Sequence, residues 1–203
     1  MADKIFKRKI YNKMLAWKKD FAGKTALLIE GARRIGKSTI TEEFARNEYE
    51  NYLIIDFANA PRTVIDLFDD ISDLQYFFIS LQSLTGISLK PGKSVIIFDE
   101  VQFCPKARQA IKFLVKDGRF HYIETGSLIS IKKNIKEILI PSEEQRLNMY
   151  PFDFEEFLWA IGKEPTFGLI RYSYEHLKPL GDAVNREMMK LFRLYILVGG
   201  MPQ

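Results

Sequence analysis

Gly31–Thr39 reads GARRIGKST and fits the pattern G-x-x-x-x-G-K-[ST] in full. It follows the apolar run Thr25–Glu30 (TALLIE), which predicts a buried strand, and it leads into a helix-like stretch over about 37–47. Glycines at both ends of the loop allow backbone conformations that side chains would block, so successive N–H groups can point into one cavity. The N-terminus of the following helix adds a partial positive charge there. This stretch therefore predicts a phosphate-binding loop.

The side chains of this loop have distinct expected roles at a nucleoside triphosphate. The Lys37 ammonium can reach the β- and γ-phosphates, the Ser38 hydroxyl suits Mg²⁺, and Thr39 adds a hydroxyl near the α-phosphate. Arg33 and Arg34 either touch phosphate or are solvated. The expected cofactors are ATP and Mg²⁺, and the predicted nucleotide-binding residues are Gly31, Ala32, Arg33, Arg34, Ile35, Gly36, Lys37, Ser38 and Thr39.

A pair of carboxylates ends a second apolar run, Ser94–Asp99 (SVIIFD), which Glu100 follows directly. Ligand sites of open parallel sheets lie beyond the carboxyl ends of the strands, so both acids are expected beside the loop. We predict that Asp99 and Ser38 hold Mg²⁺. Glu100, placed on the opposite face by strand alternation, can polarise a water for attack on the γ-phosphate. A small-molecule kinase needs no such acid, so the pair favours a hydrolysing ATPase.

Short apolar runs alternate with helix-like stretches along the chain, as is typical of an α/β fold with a parallel sheet. Helices are expected over about 37–47, 64–84, 106–116, 154–161 and 185–198, with a polar stretch between the last two. We predict a three-layer P-loop NTPase core over 1–150, which includes a leading basic helix at 1–22, and a partial helical, lid-like region over 151–203. The predicted strands are Thr25–Glu30, Tyr52–Phe57, Ser94–Asp99, Phe120–Glu124 and, more weakly, Arg146–Tyr150.

Two hydroxyl side chains, Thr125 and Ser127, follow the fourth predicted strand. If that strand lies between the first and the third, either hydroxyl could bond the γ-phosphate or the attacking water; a simple turn is the alternative. We take Ser127 as the third catalytic candidate beside Lys37 and Glu100, and keep Thr125 as the other candidate for the same role.

Composition excludes several classes of protein. The 203 residues, 47% of them apolar, suffice for a core without disulfides, and 16 Phe and 9 Tyr exclude a disordered chain. The sequence contains no run of about 18 apolar residues, so no membrane span is predicted. The charged start of the chain lacks the apolar segment of a secretory signal. The single Cys104 excludes an internal disulfide and is expected to be a buried or half-buried thiol. A cytoplasmic location is therefore expected.

The net charge of +4 comes mainly from the start of the chain. A basic leading helix could contact nucleic acid. The alternative is a solvated helix face with Ile10, Met14 and Trp17 packed inward, and the sequence favours this alternative.

The end of the chain also has two interpretations. The turn-forming Gly199–Gln203 (GGMPQ) suggests that a C-terminal region follows, although a frayed tail would look the same. The aromatic segment Phe152–Trp159 is expected to pack on the core edge, or else to dock the C-terminal region or a neighbouring subunit.

The chain resembles a family of bacterial and archaeal AAA+-like ATPases that carry a C-terminal domain of unknown function. The resemblance runs from about Lys13 to Pro202. The segments that carry it are GARRIGKST (Gly31–Thr39), SVIIFDEVQ (Ser94–Gln102), ETGSLIS (Glu124–Ser130), MYPFDFEEFLWA (Met149–Ala160) and VGGMP (Val198–Pro202).

This resemblance implies five parallel strands in AAA+ order, a polar sensor at Ser127 or Thr125, and a C-terminal domain beyond this chain. Arg146 is a candidate trans-acting finger in a homo-oligomer, and a lid sensor is unassigned among Arg171, Arg186 and Arg193. The leading hypothesis is Mg²⁺-dependent ATP hydrolysis coupled to a conformational or remodelling task. The alternatives are a nucleotide-gated switch with little hydrolysis and a nucleic-acid-associated motor.

Overall fold

The computed structural model describes residues 5–127 and 143–201. Its centre is a sheet of five strands in the order β2-β3-β4-β1-β5, and every neighbouring pair is parallel. This confirms the predicted α/β fold and places the fourth strand between the first and the third. The strands are β1 (Ala26–Gly31), β2 (Asn51–Asp56), β3 (Ser94–Asp99), β4 (His121–Ser127) and β5 (Glu144–Met149).

Helices cover both faces of the sheet and make up much of the rest of the described chain. A 3-10 turn at Asp66–Asp69 follows the third helix, and another at Val101–Phe103 follows β3. No helix in the described ranges is long and apolar enough to cross a bilayer. The helices are α1 (Lys9–Asp20), α2 (Lys37–Glu48), α3 (Arg62–Ile65), α4 (Leu74–Thr85), α5 (Pro105–Asp117), α6 (Phe154–Ala160), α7 (Glu164–Glu175) and α8 (Asp182–Val198).

The helix predictions differ from the structure in two places. The single helix expected over 64–84 is broken, because the Asp70 side chain accepts from the Ser72 N–H and Asp73 caps α4 by accepting from the Tyr76 N–H. The polar stretch expected before 185 contains α7, which has no fully buried residue. Phe167 of α7 packs on a hydrophobic cluster of α6 and α8.

The core lies on both faces of the sheet, which explains the continuous apolar runs of β1 and β3. On one face Leu28 and Phe98 pack with side chains of α4 and α5. On the other, Leu27 and Ile97 pack with α2 and with Ile10, Met14 and Trp17 of α1. The inward face predicted for the leading helix is therefore confirmed, and Cys104 is buried as expected.

The chain divides into two compact units. The first, Ile10–Met149, contains the sheet and all the residues of the predicted nucleotide site. The second joins the described residues up to Lys9 with those from Tyr150 onward, and its small core is formed by Phe157, Leu158 and Leu191.

Candidate functional site

The loop between β1 and α2 has the backbone geometry that its glycines predict. Gly36 has φ 87°, in the left-handed region that favours glycine, and α2 begins at the next residue. A Cβ on Gly31 would lie 2.3 Å from the Met149 carbonyl oxygen and 2.7 Å from Ile35 Cδ1. No side chain fits at Gly31, because the neighbouring strand and the loop itself fill that space.

The Lys37 side chain contacts the backbone of this loop. Its side chain is buried, and its ammonium donates to the carbonyl oxygens of Ala32 at 2.7 Å and Gly31 at 3.3 Å. Burial lowers the pKa of Lys37 by desolvation, while the nearby carboxylates of Glu100 and Asp99 oppose that shift. The structure thus brings the lysine and both acids predicted from sequence to the same place.

The side chains of Asp99, Ser38 and Thr125, from three different elements, form a hydrogen-bond network. Ser38 Oγ of α2 donates to Asp99 Oδ1 at 3.0 Å, and Thr125 Oγ1 of β4 donates to the same oxygen. The Thr125 hydroxyl also accepts the Glu100 N–H at 3.2 Å. The end of β4 therefore orients both the carboxylate and the backbone that follows it.

These oxygen donors fit Mg²⁺, a hard cation that takes carboxylate and hydroxyl oxygens and keeps several ligands from water and phosphate. Ser38 and Asp99 supply one hydroxyl and one carboxylate at adjoining positions. Within the described ranges, no group of three or more His, Cys, Asp or Glu side chains could hold a metal by itself.

Glu100 reaches the site in a different way from the one expected. It lies one residue beyond β3 with φ 53° and ψ 46°, so a left-handed turn sets its direction, and the predicted placement by strand alternation is wrong. Gln102 Nε2, from the 3-10 turn, donates to Glu100 Oε2. Sequence reasoning missed Gln102, although it stands in the segment DEVQ directly after the strand.

The remaining candidates occupy different environments. Ser127 is buried and pairs in register with Gly31, but the contact to Asp99 comes from Thr125. The guanidinium of Arg146, the candidate finger, donates to Glu144 at 2.8 Å within its own strand. In the loop, Ile35 is buried, whereas Ala32, Arg33, Arg34, Ser38 and Thr39 are exposed.

Fold and site together define a class: a P-loop nucleotide-binding core of the ATPase type, with the loop at β1–α2 and the acidic end of β3 side by side. Residues 23–158 match the family described as AAA domain, and the chain belongs to that family. The resemblance to AAA+-like ATPases is thereby confirmed for the core, while the C-terminal domain stays a prediction.

Solved structures share the fold. The Orc1 protein of Aeropyrum pernix in complex with DNA matches with a TM-score of 0.51 and 12% identity over 80% of this chain and 50% of that one. Hsp104 in its closed state with ATPγS and casein matches with a TM-score of 0.50 and 13% identity over 82% of this chain and 30% of that one. The chain thus spans half or less of either neighbour. No curated protein matches the sequence.

Proposed function

We propose that this chain binds ATP with Mg²⁺ and hydrolyses it to ADP and phosphate, and that the cycle drives a conformational or remodelling task. The observation that carries the proposal is the network of Ser38, Thr125 and Asp99 beside the buried Lys37, with Glu100 one residue further on. The network supports a phosphate-binding role for Lys37, a metal-binding role for Ser38 and Asp99, and a general-base role for Glu100.

Binding is the task of the loop and of α2. The backbone N–H groups at the start of α2 carry the partial positive charge of the helix terminus and suit phosphate oxygens. The Lys37 ammonium, now bonded to two loop carbonyls, would exchange these neutral acceptors for charged phosphate oxygens, which make stronger hydrogen bonds. Mg²⁺ held by Ser38 and Asp99 would neutralise charge on the phosphates.

Hydrolysis is the task of Glu100. Its carboxylate accepts a proton as a water oxygen bonds to the γ-phosphorus, while the bond from that phosphorus to the β–γ bridging oxygen breaks and ADP leaves. Thr125 positions Asp99 and the backbone of Glu100 through one hydroxyl, which supports Thr125 in the polar sensor role. Ser127 stays a candidate for contact with the γ-phosphate.

A nucleic-acid-associated role has less support. Three cations of the leading segment are neutralised inside the second unit: Lys7 by Glu164, Arg8 by Glu156, and Lys9 by Asp153 and Glu155. The DNA of the Orc1 complex is bound to a protein with which this chain shares only the fold.

ATP turnover with and without Mg²⁺ tests the proposal on the parent, Glu100→Gln and the control Glu187→Gln, which alters an exposed acid of α8. We expect Mg²⁺-dependent turnover in the parent and the control. Glu100→Gln should bind ATP and lose about 10²–10⁴-fold in kcat, the range of general acid–base catalysis. Equal turnover of Glu100→Gln and parent would contradict the assignment. ATP binding without any turnover in the parent would favour the nucleotide-gated switch.

A further inference from the structure

Gln102 is a buried polar side chain in direct contact with the candidate general base. It lies in the 3-10 turn Val101–Phe103 and is 8% exposed. Its Nε2 donates to Glu100 Oε2. Because an ionised carboxylate can only accept hydrogen bonds, the amide nitrogen and not the amide oxygen must face Glu100.

The backbone makes this contact possible. The left-handed conformation of Glu100 reverses the chain, and the turn is closed by the Phe103 N–H donating to the Glu100 carbonyl oxygen at 3.0 Å. The turn brings the side chains of Glu100 and Gln102 within hydrogen-bonding distance, whereas residues two apart on an extended strand are separated by about 6–7 Å along it. Thr125 holds the Glu100 N–H from β4. The main chain and the carboxylate of Glu100 therefore have separate anchors.

We propose that Gln102 is a positioning residue for hydrolysis: it fixes the Glu100 carboxylate through Oε2 and leaves the other oxygen to accept the proton of the attacking water. The inference rests on the proposed function. An unrestrained glutamate loses rotamer freedom each time it adopts one reactive orientation. A bond to a buried, ordered donor removes part of that cost before the reaction begins.

The first test is Gln102→Met, which keeps a side chain of similar length and removes the donor. The control is Gln109→Met, because Gln109 is exposed on α5. We expect kcat of Gln102→Met to fall about 10- to 100-fold, which corresponds to the loss of one hydrogen bond to a charged group, with KM and ATP affinity unchanged. Gln109→Met should match the parent. A kcat equal to or above that of the parent in Gln102→Met would overturn the proposal.

A double-mutant cycle separates positioning from a merely structural role. In the Glu100→Gln background, Gln102→Met should cause no further loss, because the carboxylate that it positions is already gone. The same fold-loss in both backgrounds would overturn the inference. Gln102→Glu is the second variant should Gln102→Met fold poorly; it sets a carboxylate against Glu100 and should lower kcat further.

The outcomes also separate this inference from the proposed function. If Glu100→Gln stalls hydrolysis while both Gln102 variants turn over like the parent, the inference alone is overturned. If the parent hydrolyses no ATP, the proposed function is overturned and the role of Gln102 with it.

Discussion

Gly31 joins strand β1 to the phosphate loop, and it pairs with Ser127 of β4 and Met149 of β5. The nearest atom to a side chain added there is the backbone carbonyl oxygen of Met149, which belongs to a paired strand and has little room to move. The motif glycine at the start of the loop is therefore also a packing requirement of the sheet.

Gly31→Ala should lower the free energy of unfolding by about 2–4 kcal/mol, because overpacking against backbone forces the strand or the loop to shift. Gly168→Ala is the matched control. Among the described residues, no atom outside the local backbone of α7 lies within 4 Å of a Cβ added at Gly168, and alanine favours helix over glycine. Thermal unfolding of both variants checks this. A Gly31→Ala protein as stable as the parent would contradict the close approach.

Single residues also show which features of the candidate site the sequence does not predict. The pattern of Gly31–Thr39 and the acids Asp99 and Glu100 at the end of β3 predict the candidate site directly, because local motifs specify a loop and a strand end. The preference for Thr125 at Asp99 depends on the register of β3 and β4, which no local pattern contains. The left-handed backbone conformation of Glu100 could not be predicted from sequence either, because glutamate does not favour that conformation.

Among the secondary-structure elements, the buried strands were the most predictable. Strand β3 begins and ends at the predicted residues, because a strand covered on both faces is continuously apolar. The helices were harder to predict: Asp70 and Asp73 end one helical segment and start another through side-chain hydrogen bonds, and an apolar count over 64–84 does not detect them.

A cluster of two acidic side chains and two arginines joins β4, β5 and α5. Glu144 of β5 accepts from Arg108 of α5 at 3.1 Å and from Arg146 at 2.8 Å. Glu124 of β4 is fully buried, and this desolvation, together with the charge of Glu144, raises the pKa of Glu124 well above its usual range, against the opposing charge of Arg108. A buried acid is thus protonated in the folded protein at a pH where it is ionised in the unfolded chain.

The sign of the pH effect follows from this difference. Because the pKa of Glu124 is raised in the folded protein, Glu124 contributes its full stabilisation below the unfolded-state pKa of about 4.3. This stabilisation is lost as pH rises from there toward the folded-state pKa. The free energy of unfolding then falls by at most about 1.4 kcal/mol per pH unit. Glu124→Gln should remove this loss, so the stability advantage of the variant over the parent grows as pH rises above the unfolded value. Urea unfolding at several pH values measures it. Parallel stability curves for the two proteins would contradict the prediction.

At the scale of the whole molecule, the chain start and the residues from Tyr150 onward form one unit. Arg8 is 6% exposed; its Nε lies 3.2 Å from Glu156 Oε1, and its guanidinium also donates to the Tyr150 carbonyl oxygen and stacks over Phe152 at 4.4 Å. The leading basic segment is thus partly a structural anchor of the second unit.

Arg8→Met should destabilise the second unit by about 3–5 kcal/mol, because it leaves the buried Glu156 carboxylate without its ion-pair partner. Lys7→Met is the control: its ion pair with Glu164 is more than half exposed on both sides and is worth at most about 1 kcal/mol. Thermal unfolding compares the two. Equal small losses would show that the buried pair contributes no more than the exposed one.

The most direct measurement of the central claim is the equilibrium affinity for ATP, with Mg²⁺ and with the metal chelated, for the parent and Lys37→Ala. Lys37 is a buried cation of the loop, and its ammonium donates to the Ala32 carbonyl oxygen. We expect that the parent binds ATP, that Mg²⁺ tightens this binding, and that Lys37→Ala loses ATP binding while remaining folded. A folded parent that binds no ATP, or a Lys37→Ala protein that binds ATP as tightly as the parent, would contradict the proposed nucleotide-binding function.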